Sequence, residues 1–466
     1  MRNKIRIEEG AKAVLFLIVL LQLYFINGIY LIACTLCFFL ILYNLQQPYK
    51  SSVFSLLFIY HFLQIITGVL LTTYLGNDIN YQNENMGVAT LLCLVGLLVM
   101  FTPIIYFQNK IPTLNIGILK KHAFQLSINR SFYAYLIAFL IAGFLAGIRF
   151  IYPGYTQIIV SLINIKWFFF LLFGFQSILK NKRRREFYFF ISLEIVLGFA
   201  SFFSDFKTVI FYVIILYLTL LFRVTTKRLI ISLLFGTIIF FAVLFWTSIK
   251  TQYRFFLNKG SSSQAVQVSK NEALNKLYEL SSGGVTNYNS ATSILLDRLQ
   301  ATQNFALTIS RVPTIIPYQN GKNWSETFEF VLTPRLFNPN KHSLDFSEKV
   351  TKYTGITHAG LSQGTSFSLG YFVDCYIDFG MYGMMIPLFL IGLFYGYVHF
   401  YFIKNSSRNI LFNYSVAGAL FMEFFALEMD NTYLLGRLFA AVLTFLLLRK
   451  LFFPWLIQYL SVPDAK

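Results

Sequence analysis

The chain has 466 residues, of which 56% are hydrophobic and only 12% are charged, whereas about 25% of residues are charged in soluble domains. The formal net charge is +18, but the basic residues are spread between apolar runs and form no single basic domain, which argues against a nucleic-acid-binding protein. Several apolar runs reach the ~18 residues that cross a hydrocarbon core of ~30 Å. The composition therefore predicts an all-α polytopic membrane protein.

Twelve apolar segments along the chain predict about twelve transmembrane helices. They lie at residues 13–28, 29–45, 53–74, 87–107, 131–148, 157–179, 187–203, 208–222, 229–249, 380–403, 410–429 and 434–453. The first segment follows a basic N-terminal stretch and shows no small-residue cleavage pattern, so it is interpreted as a span and not as a cleaved signal peptide. An even number of spans predicts both termini on one side of the membrane.

Lysine and arginine are concentrated in alternate connections between these segments. The basic connections lie around residues 2–12, 50, 110–130, 180–185, 223–228, 404–408 and 449–466. The intervening connection at 76–85 has no basic residue. Because loops rich in lysine and arginine stay in the cytoplasm, the pattern predicts cytoplasmic termini and opposite loops that face the outside, which is the periplasm in a cell with two membranes.

One connection, at residues 250–370, is far longer than the about 2–8 residues usual between bundled helices, and connections of that size are usually functional. The predicted organisation is a transmembrane bundle of about nine helices at 1–249, an extracytoplasmic loop cap at 250–370, and a bundle of about three helices at 371–466. Within the cap, apolar residues at helical spacing predict an amphipathic helix that is capped by Ser290, ends before Pro313 and lies on the bundle or at the membrane interface.

The cap has twelve basic and seven acidic residues, a net charge of +5. A positive surface beside a membrane fits an anionic lipid headgroup, and the planar guanidinium of arginine matches a phosphate with two hydrogen bonds. A diphosphate leaving group needs such charge compensation in its transition state. For any single arginine of the cap, a solvated position remains the alternative.

Three basic residues fall on short turns of the predicted outer face, where the positive-inside pattern disfavours them. They are Arg149, Lys207 and Arg437. Each either binds an anionic ligand or has a structural role, in which it snorkels to the interface or pairs with a local carboxylate, such as Glu428 or Asp430 for Arg437. The structural role is favoured for Arg149, and the two interpretations stay open for the other residues.

Two of the five histidines, His342 and His358, lie in the polar segment 333–368. Histidine alone titrates near neutral pH without perturbation, so both are candidate general bases. His358 is favoured because nearby glycines permit tight turns and close approach of a ligand. A loop histidine with satisfied hydrogen bonds is the alternative.

Asp374 and Asp378 are spaced i, i+4, on one face of a helix. They either bind a divalent cation or act as a base, or else, as is favoured, they cap helices or pair with cap arginines. The four cysteines have no metal-ligand spacing and are interpreted as small hydrophobic residues. A glycine-rich phosphate loop and a DxD pair are absent from the sequence, which argues against a nucleotide-sugar transferase. We therefore expect neither a metal nor a cofactor.

Several short motifs are arranged in the order found in one family of bacterial membrane enzymes. They are DRL at 297–299, PYQNG at 317–321, PRLFNPNK at 334–341, THAGLSQGTS at 357–366 and DFGMYG at 378–383, with SDFKT at 204–208 and EMDNTYLLGR at 428–437. Together they resemble the Wzy-type polymerases of O-antigen or exopolysaccharide repeat units, which are related to the enterobacterial common antigen polymerases and more distantly to the O-antigen ligases. All of these motifs fall on the outer face of the topology given above.

The resemblance implies a GT-C-like, metal-independent glycosyltransferase of the bacterial inner membrane, with its active site facing the outside. Such an enzyme transfers a growing glycan from undecaprenyl diphosphate onto an incoming lipid-linked repeat unit. The resemblance also implies that His358 accepts the proton of the attacking hydroxyl, and that Arg298 and Arg335 are further catalytic residues.

The residues implied to hold the diphosphate and the glycan are Lys207, Arg254, Lys341 and Arg437. Lys207 stands where relatives more often have arginine, and a lysine offers a point charge in place of a bidentate contact. The implied partners are the lipid-linked oligosaccharides, membrane lipid, a chain-length regulator and a flippase, with no nucleic acid.

Two other functions stay open. An O-antigen ligase shares the donor and the chemistry, but its acceptor is the lipid A core and not another repeat unit. A lipid-linked oligosaccharide flippase would suit the predicted number of spans. Transporters, however, carry charges near the midplane on broken helices, whereas the spans predicted here are nearly free of charge in their middles.

Overall fold

The computed structural model describes residues 6–148, 155–199, 206–221, 223–260, 266–282, 292, 295, 300–333, 338, 346–357, 366–422 and 427–462. Over these ranges the chain is almost entirely helical. The described residues also contain two short strands, β1 (Arg6–Ile7) and β2 (Arg223–Val224). They pair in parallel, with Arg6 opposite Arg223. The protein is thus an all-α membrane protein, as predicted.

The N-terminal half of the chain builds the larger part of the bundle. Its helices are α1 (Glu9–Gln22), α2 (Gly28–Leu45), α3 (Val53–Tyr74), α4 (Met86–Lys110), α5 (Ile116–Phe124), α6 (Ile128–Ile148), α7 (Thr156–Ile163), α8 (Ile165–Lys180), α9 (Arg184–Phe199), α10 (Phe206–Leu220) and α11 (Thr226–Leu257). α7 and α8 follow each other across Asn164 and together make one span, Ile158–Lys180.

The C-terminal half adds short helices and then returns to the bundle. Its helices are α12 (Lys270–Ser282), α13 (Ala301–Arg311), α14 (Lys322–Leu332), α15 (Phe346–Thr354), α16 (Tyr371–Gly383), α17 (Met385–Asn405), α18 (Ile410–Phe421), α19 (Asn431–Leu451) and α20 (Phe453–Leu460). α13 ends directly before Val312 and Pro313, which confirms the predicted end of the amphipathic helix, but it begins at Ala301, and the predicted N-cap Ser290 lies outside the described residues.

Each of the twelve predicted apolar segments coincides with a helix, but not all of these helices are long enough to cross a membrane. Among the described residues seven spans qualify by length and composition, or eight if α19 and α20, bent by 60°, form one span. α1, α9, α10 and α18 have only 14, 16, 15 and 12 residues. The last three adjoin residues outside the described ranges, and the count of twelve spans stays a prediction.

Close packing of glycine against backbone defines the centre of the bundle. α17 crosses α4 with Gly392 against the carbonyl of Met100, and a Cβ at Gly392 would overlap that oxygen atom. Gly396 makes a similar approach to Pro103 one turn further along. Small residues let two helix backbones come this close inside a membrane, where dispersion and not hydrophobic burial drives helix association.

The predicted basic connections converge on one end of the bundle, which we call the basic end: residues 45–52, 108–130, 180–185, 404–410 and 449–462. Lys50 Nζ donates to the Gln108 carbonyl at 2.9 Å, and Arg130 Nη1 donates to the Ser461 carbonyl at 3.0 Å. Asn409 Nδ2 donates to the His122 carbonyl at 2.8 Å. The basic connections therefore contact one another, as the alternating charge pattern requires.

The opposite end, which we call the loop end, comprises residues 23–27, 75–86, 300–333, 346–357, 366–370 and 427–431. Asn85 Nδ2 donates to Ser310 Oγ at 3.0 Å, which ties α13 to the start of α4. Thr327 and Thr432 share a hydrogen bond of 3.1 Å between α14 and α19. The cap helices α13, α14 and α15 thus pack on the bundle at the end away from the basic connections.

Candidate functional site

A buried cluster of charges lies at the loop end, where the cap meets the bundle. Lys349 of α15 places its Nζ 2.7 Å from Asp374 Oδ1 and 2.8 Å from Asp430 Oδ2. The two carboxylate side chains are 0% and 2% exposed, and that of Lys349 is 22% exposed. We call Lys349, Asp374 and Asp430 the charge triad. It joins one cap helix to two helices of the bundle.

The two carboxylates of the charge triad sit at helix N-termini. Asp430 is the N-cap residue of α19, and its Oδ1 accepts the Thr432 backbone N–H at 2.8 Å. Asp374 lies in the first turn of α16, and its Oδ2 accepts the Asn431 backbone N–H at 3.1 Å. Negative charge is stabilised at helix N-termini by the unpaired amides and the helix dipole. The local sequence thus explains why carboxylates stand at these two positions.

The ionisation of the charge triad is coupled, because two carboxylates share one ammonium group. Burial raises the pKa of Asp374, and the nearby Asp430 carboxylate raises it further. Burial acts in the same direction on Asp430, but Lys349 outweighs it and lowers the pKa of Asp430 below its ordinary value. For Lys349, burial lowers the pKa, and the two carboxylates together raise it above its ordinary value. One extra proton on Asp374 makes the cluster electrically neutral.

The cap helix that carries Lys349 is held by one buried face. Ser347, Val350 and Thr354, at i, i+3 and i+7, are all buried, as that spacing dictates for a helix lying on a surface. Ser347 Oγ accepts the Phe367 backbone N–H at 2.8 Å. Gly355, at φ +78°, follows the helix, and a side chain there would collide with the Arg311 guanidinium of α13. The helix is therefore held by its buried face and by the hydrogen bond to Phe367.

Asp378, four residues after Asp374, has a capping role. Its carboxylate accepts hydrogen bonds from Asn323 Nδ2 at 2.8 Å and from the Trp324 backbone N–H at 3.0 Å, both in the first turn of α14. Asp374 pairs with a cap lysine, where the sequence suggested a cap arginine. Capping and pairing thus account for both aspartates. In the described part of the chain, no group of three histidine, cysteine, aspartate or glutamate side chains is arranged to hold a metal.

A second polar cluster adjoins the charge triad along the segment before α19. Gln64 Oε1 of α3 accepts the Leu427 backbone N–H at 2.7 Å, and Gln64 Nε2 donates to the buried Glu428 carboxylate. Burial raises the pKa of Glu428, and the charge of Lys207 opposes that shift. Lys207 is exposed in the first turn of α10. The predicted substrate-binding lysine therefore lies close enough to act on Glu428.

The other two described site residues also lie near the loop end. Arg437 is half-buried on α19, two turns after Asp430, with its guanidinium 4.1 Å from the centre of the Tyr433 ring. Arg254 is half-buried in the last turn of α11. The buried Tyr253 beside it packs in one apolar cluster with Phe206, the neighbour of Lys207. The fold thus brings the helix ends that carry Lys207 and Arg254 together.

Four predicted site residues, Arg298, Arg335, Lys341 and His358, lie outside the described residues, as does His342.

Sequence reasoning counted Lys349 among the basic residues of the cap but did not select it, because its role depends on two carboxylates from distant helices. It also did not weigh the Gly-x-Ser-x-Gly spacing at 360–364, which matches the nucleophile turn of α/β-hydrolases. That turn follows a strand of a parallel sheet, and the strands among the described residues are only the two-residue pair.

One buried ion pair lies inside the bundle, away from the cap. Lys166 Nζ of α8 is 2.9 Å from Glu194 Oε2 of α9, and the Tyr135 hydroxyl of α6 donates to Glu194 Oε1 at 2.9 Å. This cluster has one cation, one anion and a neutral donor, so its charges balance. The cluster joins α6, α8 and α9, and this structural role accounts for its buried charges.

Comparisons with known proteins identify the family of the chain. A family model described as a domain of unknown function, DUF8712, matches residues 113–454. The comparisons with curated proteins and with solved structures give no match. The matched range begins before α5 and ends within α20, so it contains most of the bundle, the cap helices and the charge triad. The chain therefore belongs to the DUF8712 family.

Proposed function

We propose that this protein is a polysaccharide polymerase, a glycosyltransferase that transfers a growing glycan from undecaprenyl diphosphate onto an incoming lipid-linked repeat unit. The single observation that carries the proposal is the arrangement of the loop end: charged side chains of the bundle lie beneath a cap of short helices, at the membrane-surface end of several spans. A lipid-linked diphosphate has its charged group at that depth and its apolar chain beside the spans.

The charge pattern of the two ends supports an orientation for this activity. In the proposal the basic end faces the cytoplasm, in line with the positive-inside rule, and the loop end faces the outside of the inner membrane. β1 pairs with β2, which follows Thr219 closely, and the Thr219 carbonyl accepts the Tyr49 N–H of the basic end. The last helix lies at the basic end itself, and both positions agree with the proposed cytoplasmic termini. The lipid-linked units would then be joined after they have crossed the membrane.

Cations near the loop end would supply the charge compensation that the reaction requires. Lys207, Arg254 and Arg437 would bind the donor diphosphate and glycan, with Lys341 closing from the cap. Hydrogen bonds from these cations to the phosphate oxygens strengthen as the anomeric C–O bond breaks and its electron pair moves to the diphosphate. Arg298 and Arg335 would contribute to the same stabilisation, so the proposed step needs no metal.

The base in this proposal is His358. The acceptor hydroxyl oxygen attacks the anomeric carbon, its proton passes to the imidazole of His358, and the diphosphate leaves with the C–O electron pair. The imidazole is neutral before the step and positively charged after it. General-base assistance of this kind contributes roughly 100- to 10,000-fold to a rate.

The base assignment is tested in cells that depend on this protein for surface polymer. We expect His358→Ala to remove long polymer and to accumulate single lipid-linked repeat units, whereas His342→Ala, a histidine of the same segment, leaves the polymer normal. Both variants should be present in the membrane at the wild-type level by immunoblot. Normal polymer in the His358→Ala strain would contradict the proposed mechanism.

A further inference from the structure

Lys349 has no role in the bond-making steps of the proposed reaction. Its helix, α15, lies between two stretches that carry predicted site residues: 334–345, with Arg335 and Lys341, and 358–365, with His358. The connection from the end of α15 to His358 is only a few residues long. α15 is therefore the described helix that lies next to both stretches in the sequence.

The hold on α15 depends on charge as well as on packing. The Lys349 ammonium contacts two carboxylates that are 0% and 2% exposed, so the ion pairs are shielded from water and from salt. Removing the ammonium alone would leave two neighbouring carboxylates buried without a counter-charge, which folded proteins tolerate poorly. Exposing the carboxylates to water relieves this penalty, and α15 is the helix that places a side chain against them.

The same lysine also links the cap to the helix that carries a predicted ligand residue. Asp430 caps α19 through Oδ1 and binds Lys349 through Oδ2, while Arg437 follows two turns later on α19. Asp374, in turn, fixes the start of α16 and accepts the Asn431 N–H. The charge triad thus sets the position of α15 relative to the starts of α16 and α19.

We propose that Lys349 is a positioning residue: through Asp374 and Asp430 it latches α15 onto the bundle and sets the start of α19, the helix that carries Arg437. The latch itself is a property of the fold, and its link to catalysis rests on the proposed function. Lys349 contacts carboxylates of the protein and takes no part in bond making.

The latch is tested by the accessibility of Val350, which lies on the buried face of α15 and is 0% exposed. Val350→Cys in the full-length protein is treated with a membrane-impermeant maleimide in detergent. The native cysteines, Cys34, Cys37, Cys93 and Cys375, are all buried. We expect Lys349→Met to raise the labelling rate of this cysteine at least tenfold and Lys349→Arg to restore slow labelling. Lys352→Met, which removes an exposed lysine of the same helix, should leave the rate unchanged.

A variant without uncompensated charge covers the case in which Lys349→Met does not fold. Lys349→Met combined with Asp374→Asn and Asp430→Asn is neutral throughout, and each asparagine retains an oxygen that accepts the helix N–H. We expect this triple variant to be extracted as a single species by size exclusion and still to label faster than the parent. Slow labelling in a folded Lys349→Met or triple variant would overturn the latch.

The link to catalysis is tested by the elongation of lipid-linked repeat units. We expect Lys349→Met to lower kcat at least tenfold with a smaller change in KM, and Lys349→Arg to recover most of kcat, because the arginine refills the same ionic contact. A wild-type rate in Lys349→Met, with fast labelling of Val350→Cys, would overturn the positioning role. If the wild-type protein elongates no glycan, the proposed function fails, whereas the labelling result still decides the latch.

Discussion

Charged side chains meet different partners at the two ends of the bundle. At the basic end, cations donate to backbone carbonyls: Lys50 to Gln108, Arg130 to Ser461 and Arg449 to Asn405. At the loop end, carboxylates accept backbone N–H groups at the starts of helices: Asp378 for α14 and Asp430 for α19. Both arrangements follow from the helix dipole, which favours cations at C-termini and anions at N-termini.

The difference indicates where an anionic substrate would be recognised. Several cations of the basic end serve to close the ends of helices, and their removal should affect stability. At the loop end the carboxylates close helix ends, and in the proposed function the cations Lys207, Arg254 and Arg437 bind the diphosphate. Substitution of cations should therefore affect elongation at the loop end and not at the basic end.

The largest effect of a single described cation is expected at Arg437. Arg437→Ala should lower kcat for elongation of lipid-linked units by about 100-fold, the usual loss for one preorganised donor to a developing charge. Arg408→Ala, an exposed arginine of the basic end, is the matched control and should retain the wild-type rate. Equal losses in the two variants would remove the distinction between the ends.

The pH dependence of stability should differ between the wild type and Asp374→Asn. Burial raises the pKa of Asp374 to about 7 in the folded protein, so the folded state holds this proton more tightly than the unfolded state. The contribution of Asp374 to the free energy of unfolding is therefore fully present at low pH and falls as the pH rises from about 4 to about 7. Asp430, whose pKa is lowered, loses its contribution only below its ordinary range, and Lys349 only at alkaline pH.

We expect a loss on the order of 1–3 kcal/mol in the wild type between pH 5 and pH 8, relative to Asp374→Asn. Thermal unfolding of both proteins in detergent at the two pH values measures this difference in stability. Glu428, whose pKa is also raised, is present in both proteins, so its effect cancels in the comparison. A wild type that becomes more stable than Asp374→Asn as the pH rises would show that the charge triad does not take up the proton.

Two capping residues give a matched pair from the two ends. Asp378 caps α14 at the loop end, and Asn409 caps α18 at the basic end, with Oδ1 accepting the Leu411 N–H at 3.1 Å. Each alanine variant should lose about 1 kcal/mol of stability, as helix caps do. We expect only Asp378→Ala to slow elongation beyond its effect on stability, because α14 belongs to the cap. Equal elongation rates after correction for folded protein would contradict this.

The smallest effect is expected at Lys207, where only the shape of the cation is changed. Lys207→Arg keeps the charge and adds a second donor, so elongation should stay within about threefold of the wild type. Lys207→Ala should lose about tenfold, whereas Lys120→Ala, an exposed lysine of the basic end, should lose nothing. An inactive Lys207→Arg would show that the site requires the point charge of an ammonium group.

Much of the architecture was predictable because membrane helices are encoded locally. A run of apolar residues satisfies its own backbone in lipid, and α13 ends before Pro313, which lacks the N–H that a further turn requires. The grouping of the basic connections at one end was predictable for the same reason, since charge alternation follows the spans. The count of twelve spans stays a prediction, because α18, for example, has 12 residues and is followed closely by residues outside the described ranges.

The candidate site was predictable only in part, since it depends on pairs from distant parts of the chain. Asp374 and Asp378 lie on one helix, and the spacing suggested a common role, yet one pairs with Lys349 and the other caps α14. Nothing in the local sequence distinguishes Lys349 from Lys352, which is exposed three residues later. The partner of a buried lysine is set by the packing of α15, α16 and α19.

Elongation by the purified protein is the most direct test of the proposed polymerase. The full-length chain in detergent or vesicles is supplied with undecaprenyl-diphosphate-linked repeat units alone, without a divalent metal, and the products are separated by size. We predict a ladder of lengthened lipid-linked glycans that disappears in His358→Ala. Units that stay single, and are transferred only when a lipid A core acceptor is added, would contradict the polymerase and indicate a ligase.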